Sequence, residues 1–360
     1  MNLKTPLCDA LGIELPIIQA PMASATTPEL AAAVCQAGAL GSLGLAYTQP
    51  EAMMRDAERV RAMTTRPFNL NLFLSQSPGP VEAAAQTAAL DAVGPYFEEL
   101  GLKRPQPVKA PYAPDQEAQL DAIEAIHPAV FTLHFGEIDP RRLHALKAKG
   151  IRIGCSATCV AEAKHLEALG VDFIIAQGAE AGGHRGSFLR DPYETMTGTL
   201  ALTRLIVKAV KTPVVAAGGI MDGAGIAAVL ALGAQAAQIG TAFLPCPESA
   251  ASVPHKAAVL AAQEDDTRLT EKFSGRTARG LENRYMREMR DKANLPFPAQ
   301  NALVAPLRAA SSKAANPDFI AMWAGQAAAL ARELPAAKLI ATLRDETIDA
   351  LERVQRLLGG

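Results

Sequence analysis

His184 supplies the imidazole of the stretch Ala176-Gln177-Gly178-Ala179-Glu180-Ala181-Gly182-Gly183-His184-Arg185-Gly186, in which four glycines fall within nine residues. That glycine density forbids regular helix and regular strand, so the segment reads as a loop whose backbone can lie close to a flat ligand. The preceding run, Val171-Asp172-Phe173-Ile174-Ile175, has strand length. A titratable side chain on a glycine-rich turn at the end of a buried strand suits a general base. The strand sets its geometry and the loop leaves room for substrate. The plainer reading is an exposed loop histidine, against which the glycine context argues.

Two more glycine turns follow apolar runs: Ala217-Gly218-Gly219-Ile220-Met221-Asp222-Gly223 and Ile239-Gly240-Thr241-Ala242-Phe243. Backbone N–H groups converging there with a helix N-terminus would hold an anion without a cation, which implies a phosphorylated cofactor; two ordinary turns are the alternative. Gly223-Ala224-Gly225-Ile226-Ala227-Ala228 imitates a relaxed dinucleotide fingerprint. It sits far along the chain, has no acid near residue 243 for a ribose, and is explained by Asp222 as a helix cap, so the cofactor is expected to be a mononucleotide. Gln19, Asn71, Thr158 and Gln177 could offer neutral donors and acceptors to the edge of a flavin ring, with the backbone of Ala20-Pro21-Met22 against its face. His134 is either a second functional group or a buried structural histidine. Of the five cysteines, Cys155 and Cys159 are the closest pair, with no second pair of matching spacing, so neither a zinc site nor a disulfide framework is expected. A nucleophilic Cys155 would need a base beside it in the fold; a small core thiol is the simpler reading.

The elements that must position these groups alternate. Apolar runs centred near residues 17, 41, 70, 131, 154, 174, 215 and 238 read as strands, separated by helical segments such as Pro28 to Ala37, introduced by Thr27 and Pro28. Eight strand and helix units predict a (β/α)8 barrel, and an open doubly wound sheet is the alternative. Ser75-Gln76-Ser77-Pro78-Gly79-Pro80 breaks the alternation and opens a proline-rich excursion to Asp115 around one helix. The expected organisation is a cofactor-binding barrel over 1–245, a helical substrate domain without strands over 246–318, and helices over 319–360 that return to close the ring. A separate C-terminal helical domain is the competing arrangement.

A chain of 360 residues, 49% of them hydrophobic, can bury a large core. The formal charge of −2 and the absence of any Lys/Arg block argue against nucleic acid and anionic membranes as partners. Met1 to Ile18 lacks the unbroken apolar region of a signal peptide, and the apolar stretch from Ile226 to Ile239, interrupted by Gly233, Gln235 and Gln238, falls short of a membrane span. A cytoplasmic protein, monomeric or homodimeric, is expected.

Taken together, these residues resemble the nitronate monooxygenases, formerly called 2-nitropropane dioxygenases, of the first class. The likeness rests on Gln19-Ala20-Pro21-Met22, Phe68 with Asn71-Leu72-Phe73, Gly170-Val171-Asp172, the glycine-rich loop from Gln177 to Gly186, both glycine turns, Ser274-Gly275-Arg276 with Ala278-Arg279-Gly280, and Trp323-Ala324-Gly325-Gln326. It implies a barrel with non-covalent FMN, a smaller α-helical substrate domain, and His184 as the active-site histidine. It also implies a phosphate on the backbone of Gly218, Gly219, Gly240 and Thr241, with Gln19, Asn71 and Gln177 near the ring. Gly182, Gly183 and Gln326 join the cofactor-binding set on the same ground, and no metal is implied. The implied reaction joins an alkyl nitronate, such as propionate 3-nitronate, to O2 and yields a carbonyl compound and nitrite. The alternative is an NAD(P)H-dependent flavin reductase on the same scaffold, either a quinone reductase or an enoyl-acyl-carrier-protein reductase. Those lineages tend to carry Gln-Gly-Gly-Met at the first strand, where this chain has Gln19-Ala20-Pro21-Met22. One departure from the family pattern is Glu137, an acid after Gly136.

Overall fold

The computed structural model describes residues 2–74 and 79–358. Its strands form where apolar runs are bracketed by Gly, Pro or polar residues. They are β1 (Ile17–Gln19), β2 (Gly41–Gly44), β3 (Phe68–Phe73), β4 (Val130–His134), β5 (Arg152–Ala157), β6 (Phe173–Gln177), β7 (Gly183–His184), β8 (Val214–Ala217), β9 (Ala236–Ile239), β10 (Thr267–Thr270) and β11 (Ala278–Leu281). Eight of them pair in parallel in the order β1-β9-β8-β6-β5-β4-β3-β2. A parallel bridge between Ile18 and Leu40 joins the two ends, with Gln19 N donating to Leu40 O at 2.9 Å and Leu40 N to Ile17 O at 3.0 Å. The sheet is therefore a closed barrel with all eight expected strands in place. Part of the expected break after β3, Ser75–Pro78, lies outside the described residues.

Local chemistry sets the helix boundaries. Thr27 accepts from Leu30 N ahead of Pro28, and Asp222 accepts from Gly225 N at 2.8 Å, so the second glycine pair marks a capped helix. The helix Val160–Leu169 ends on Gly170, whose φ of 89° lies in the left-handed region. The final helix, Ala336–Leu358, packs on the helices Gly223–Ala231 and Pro28–Gln36. It thereby fills the outer position beside β9 that completes the ring, burying Leu339, Ile340 and Leu343.

Two features depart from the sequence reading. Residues beyond 245 are not purely helical: β10 and β11 form an antiparallel hairpin, and β11 pairs with β7 in the registers Ala278↔His184 and Arg279↔Gly183. These strands are four residues long and carry Arg268 and Arg279, so they show no alternating apolar pattern; their pairing with each other, and of β11 with the distant β7, is what makes them strands. The cap over the barrel is also assembled from two stretches of sequence. Val93, Tyr96 and Phe97 of the helix Ala83–Glu99 share one core with Phe273, Tyr285 and Leu303.

Candidate active site

A cavity of about 600 Å³ opens at the C-terminal ends of the barrel strands, between the barrel and the cap. Side-chain parity decides which strand residues reach it. Along β3, Leu70 and Leu72 pack outward against the helices, so Asn69, Asn71 and Phe73 point inward. Asn69 closes a buried polar layer lower in the barrel by donating to Ser42 Oγ (3.1 Å) and Thr132 Oγ1 (2.9 Å); Asn71 and Phe73 line the cavity above it. His134, Ser156, Gln177 and Gln238 occupy the corresponding inward positions of β4, β5, β6 and β9.

His184 lies buried at the cavity wall, its backbone held by the β7–β11 pairing. Phe73, Phe135, Phe297 and Trp323 surround the ring at centroid distances of 5.5–5.8 Å. Burial in this aromatic cage pushes its pKa down to about 3, with His134, Arg276 and Arg308 adding to the shift. The imidazole is thus neutral at physiological pH. Its Nε2 is 2.9 Å from Ser274 Oγ, leaving Nδ1 as the free ring nitrogen. Ser274 Oγ is also 3.0 Å from Arg276 O. A serine that can turn its single proton to either acceptor permits both neutral tautomers of His184.

His134 is also buried, with a pKa lowered to about 4 chiefly by desolvation. Its Nε2 donates to His184 O at 3.1 Å, and its Nδ1 then accepts from Ser156 Oγ at 2.8 Å. Both ring nitrogens are engaged, so His134 anchors the His184 backbone. Gln177 does the same from below, donating Nε2 to His184 O (2.9 Å) and accepting from Gly186 N at Oε1 (2.7 Å). Arg185 points away from the cavity and donates to the carbonyls of Gln177 and Thr195. Glu180 receives Thr199 N and Oγ1 at 2.8–2.9 Å and so caps the helix Thr199–Ala209.

Gly218, Gly219, Gly240 and Thr241, the residues expected to cradle an anion, all line the cavity on the loops after the paired strands β8 and β9. Gly218 has φ +115°, and a Cβ there would stand 2.8 Å from Thr199 Oγ1 and 3.0 Å from Ala181 N. Gly182 is equally constrained, since its Cβ would meet the Ala324 carbonyl carbon at 2.5 Å. Gly182, Gly183, Ala20, Pro21 and Met22 complete this part of the wall.

Three residues expected to bind the cofactor have side chains that lie elsewhere. Gln19 is buried outside the cavity: Ile17 faces the helices and Ile18 the barrel interior, so parity turns Gln19 outward, where Oε1 accepts from Ser42 N at 2.8 Å. Thr158 is drawn into the turn after β5 by Glu162, whose Oε2 accepts from its N (2.6 Å) and Oγ1 (2.7 Å). The Gln326 side chain is exposed, and the neighbouring Gly325 and Ala327 line the cavity instead. Cys155 is fully buried with its pKa raised by desolvation, a core thiol. Glu137 pairs with His165 on the surface and does not reach the cavity. Among the described residues no cluster of His, Cys, Asp or Glu could hold a metal, and no helix is long and apolar enough to cross a membrane.

The sequence reading missed Tyr47, Ser156, Gln238 and Arg308, all on the wall, and the role of Ser274. Gln238 left a signal: it is a polar interruption of an apolar strand, and its buried Oε1 lacks a partner. An orphaned carbonyl oxygen beside a glycine cradle fits a planar ligand with N–H donors and an anionic end.

Fold and site together define a (β/α)8-barrel enzyme that works at the C-terminal mouth of its barrel. A family model described as nitronate monooxygenase matches residues 4–346. A nitronate monooxygenase of Paraburkholderia phytofirmans is 43% identical over 358 residues, covering 98% of each chain. One of Pseudomonas aeruginosa is 45% identical over 342 residues, covering 93% of this chain and 97% of its own. Among solved structures, nitroalkane oxidase from Streptomyces ansochromogenes superposes with a TM-score of 0.90 at 40% identity, covering 97% of this chain and all of its own. FabK from Thermotoga maritima gives 0.76 at 27% identity, covering 98% and 99%. The chain belongs to the nitronate monooxygenase family and is an oxidoreductase.

Proposed function

We propose that this enzyme oxidises alkyl nitronates, propionate 3-nitronate among them, with FMN as its cofactor and O2 as the oxidant. Overall, two nitronate anions and one O2 give two carbonyl compounds and two nitrite ions. The observation that carries the reading is the charge inventory of the cavity. Among the described residues its wall bears the neutral His134, His184 and His255 and the cation Arg308, and no carboxylate. A site without acids and with one fixed positive charge favours an anionic substrate.

Bound FMN would supply the electron-transfer chemistry that links a nitronate to O2, with its phosphate at Gly218, Gly219, Gly240 and Thr241 and a ring edge at Gln238 and Asn71. The protein's own contribution centres on His184. A nitronate is already a delocalised carbanion and needs no base. With an anion present, Ser274 can direct its proton to Nε2, so that Nδ1–H donates to the substrate oxygen. With a neutral nitroalkane, the other tautomer offers the Nδ1 lone pair to the carbon-bound proton. The aromatic cage keeps water away from both arrangements. Anaerobic mixing with propionate 3-nitronate tests the proposal: the flavin should bleach rapidly and should bleach slowly with NADH or NADPH. The reverse order would make the enzyme a pyridine-nucleotide reductase.

A further inference from the structure

The segment Ser274-Gly275-Arg276, between β10 and β11, touches the histidine cage at three points. Ser274 Oγ meets His184 Nε2. Gly275 has φ +86°, and a Cβ there would stand 2.5 Å from Phe297 N, so the segment lies flush against the backbone that carries the Phe297 ring of the cage. Arg276 reaches a second ring of the cage: its guanidinium carbon lies over Phe135, 4.0 Å from the ring centroid. Nη2 donates to the Ser187 carbonyl, and Nε is buried without a hydrogen-bond partner. The face of Phe135 is therefore a main partner of this half-buried charge.

Phe135 in turn needs a partner to hold it. Its φ of +75° is a left-handed conformation that a bulky residue keeps only where surrounding contacts fix it. In that position the ring meets His184 edge-on, with centroids 5.5 Å apart and planes at 88°. It also packs on Phe73 and His134 at 4.5 Å and on Phe297 at 5.6 Å. Phe135 does not itself line the cavity, so it acts on the chemistry through the side chains it packs on.

We infer that Arg276 is a positioning residue of the reaction: stacked on Phe135, it holds that ring edge-on to His184 and so fixes the direction in which Nδ1 faces the substrate. This rests on the role given to His184 in the nitronate reading above. The Ser274 contact alone leaves the imidazole free to swing about one hydrogen bond, and a ring packed against it removes that freedom. One short segment thus grips the same imidazole twice, at its nitrogen through Ser274 and at its side through Arg276 and Phe135.

The test is a double-mutant cycle in the holoenzyme. Arg276→Met keeps most of the stem and removes the cation; Phe135→Leu removes the ring and leaves the cation in place. Each should lower kcat for nitroethane, where a base must be aimed at a carbon-bound proton, by about 10-fold, with KM and the turnover of ethyl nitronate changed by less than about 3-fold. Because both act through one contact, the double variant should also lose about 10-fold; a loss of about 100-fold, the product of the two, overturns the stack. Arg276→Lys keeps a cation for the ring face and should recover part of the loss, whereas Arg276→Gln keeps only a donor for the Ser187 carbonyl and should not. Equal activity of those two variants would assign the effect to the Ser187 hydrogen bond and overturn the inference. A readout free of turnover is the ring-nitrogen NMR signal of labelled histidine in the oxidised holoenzyme, with His184→Asn identifying the signal. In Arg276→Met and Phe135→Leu the His184 signals should shift or broaden, while those of His255, tied to the Trp323 carbonyl, stay in place. Unmoved His184 signals, or equal disturbance of both histidines, overturn the positioning role. A selective His184 disturbance in an enzyme that oxidises neither nitroethane nor ethyl nitronate would uphold the clamp and sink the nitronate reading.

Discussion

His184→Asn separates the two roles assigned to this side chain. Burial lowers its pKa from 6.5 to about 3, which amounts to about 5 kcal/mol against forming an imidazolium in the site. Proton abstraction from a neutral nitroalkane can proceed there only because the anion it creates stays beside the new cation. Asparagine retains an N–H donor of similar reach and can still meet Ser274, but it has no basic nitrogen. Nitrite release from neutral nitroalkanes should therefore fall by about 10²–10⁴-fold, the usual range for a lost general base, and release from preformed nitronates by less than about 10-fold. The depressed pKa adds a signature. In the parent enzyme, kcat/KM for a nitronate should show no ionisation between about pH 5 and 8, because His184 is already neutral throughout. Equal losses for both substrate forms would show that His184 only orients. An inflection near pH 6.5 that vanishes in the variant would refute the argument from burial.

The same burial makes folding acid-sensitive. His134, His184 and His255 have native pKa values near 4, 3 and 4, below the unfolded value of about 6.5, so the unfolded chain binds more protons between those limits. Stability is full above about pH 7 and declines as the pH falls through 6.5, by about 2 kcal/mol per histidine at pH 5. Urea unfolding at pH 7.5 and 5.0 should differ by about 6 kcal/mol on that account, and equal stabilities would contradict three neutral buried imidazoles. Gly218→Val places a side chain against Thr199 and Ala181 at a positive φ and should weaken flavin binding at least about 10-fold by equilibrium dialysis. Full occupancy in that variant would move the anion cradle elsewhere.

The barrel was legible because each strand is an apolar run closed by Gly, Pro or a polar residue, and because the glycine turns fall after β8 and β9. Which strand-end side chains face the cavity was not. Gln19 and Gln238 both lie at the ends of short, largely apolar strands, and only the packing of Ile17 against helices and of Ala236 inside the barrel fixes their opposite directions. Thr158 has the parity of Ser156, but the turn has begun and Glu162 captures it. Arg308 and Tyr47 share no motif, and the fold brings them together from the cap and from the loop after β2. The hairpin of β10 and β11 was illegible for a related reason, since its third strand is only Gly183–His184.

That third strand ties the cavity wall to the cap. His184 gains its register from Ala278 and its aromatic cage partly from Phe297 and Trp323, all far along the chain, so a barrel without its cap would lack both that register and half of the cage. Any recombination that fits a foreign cap to this barrel must carry a hairpin able to add its edge to residues 183 and 184.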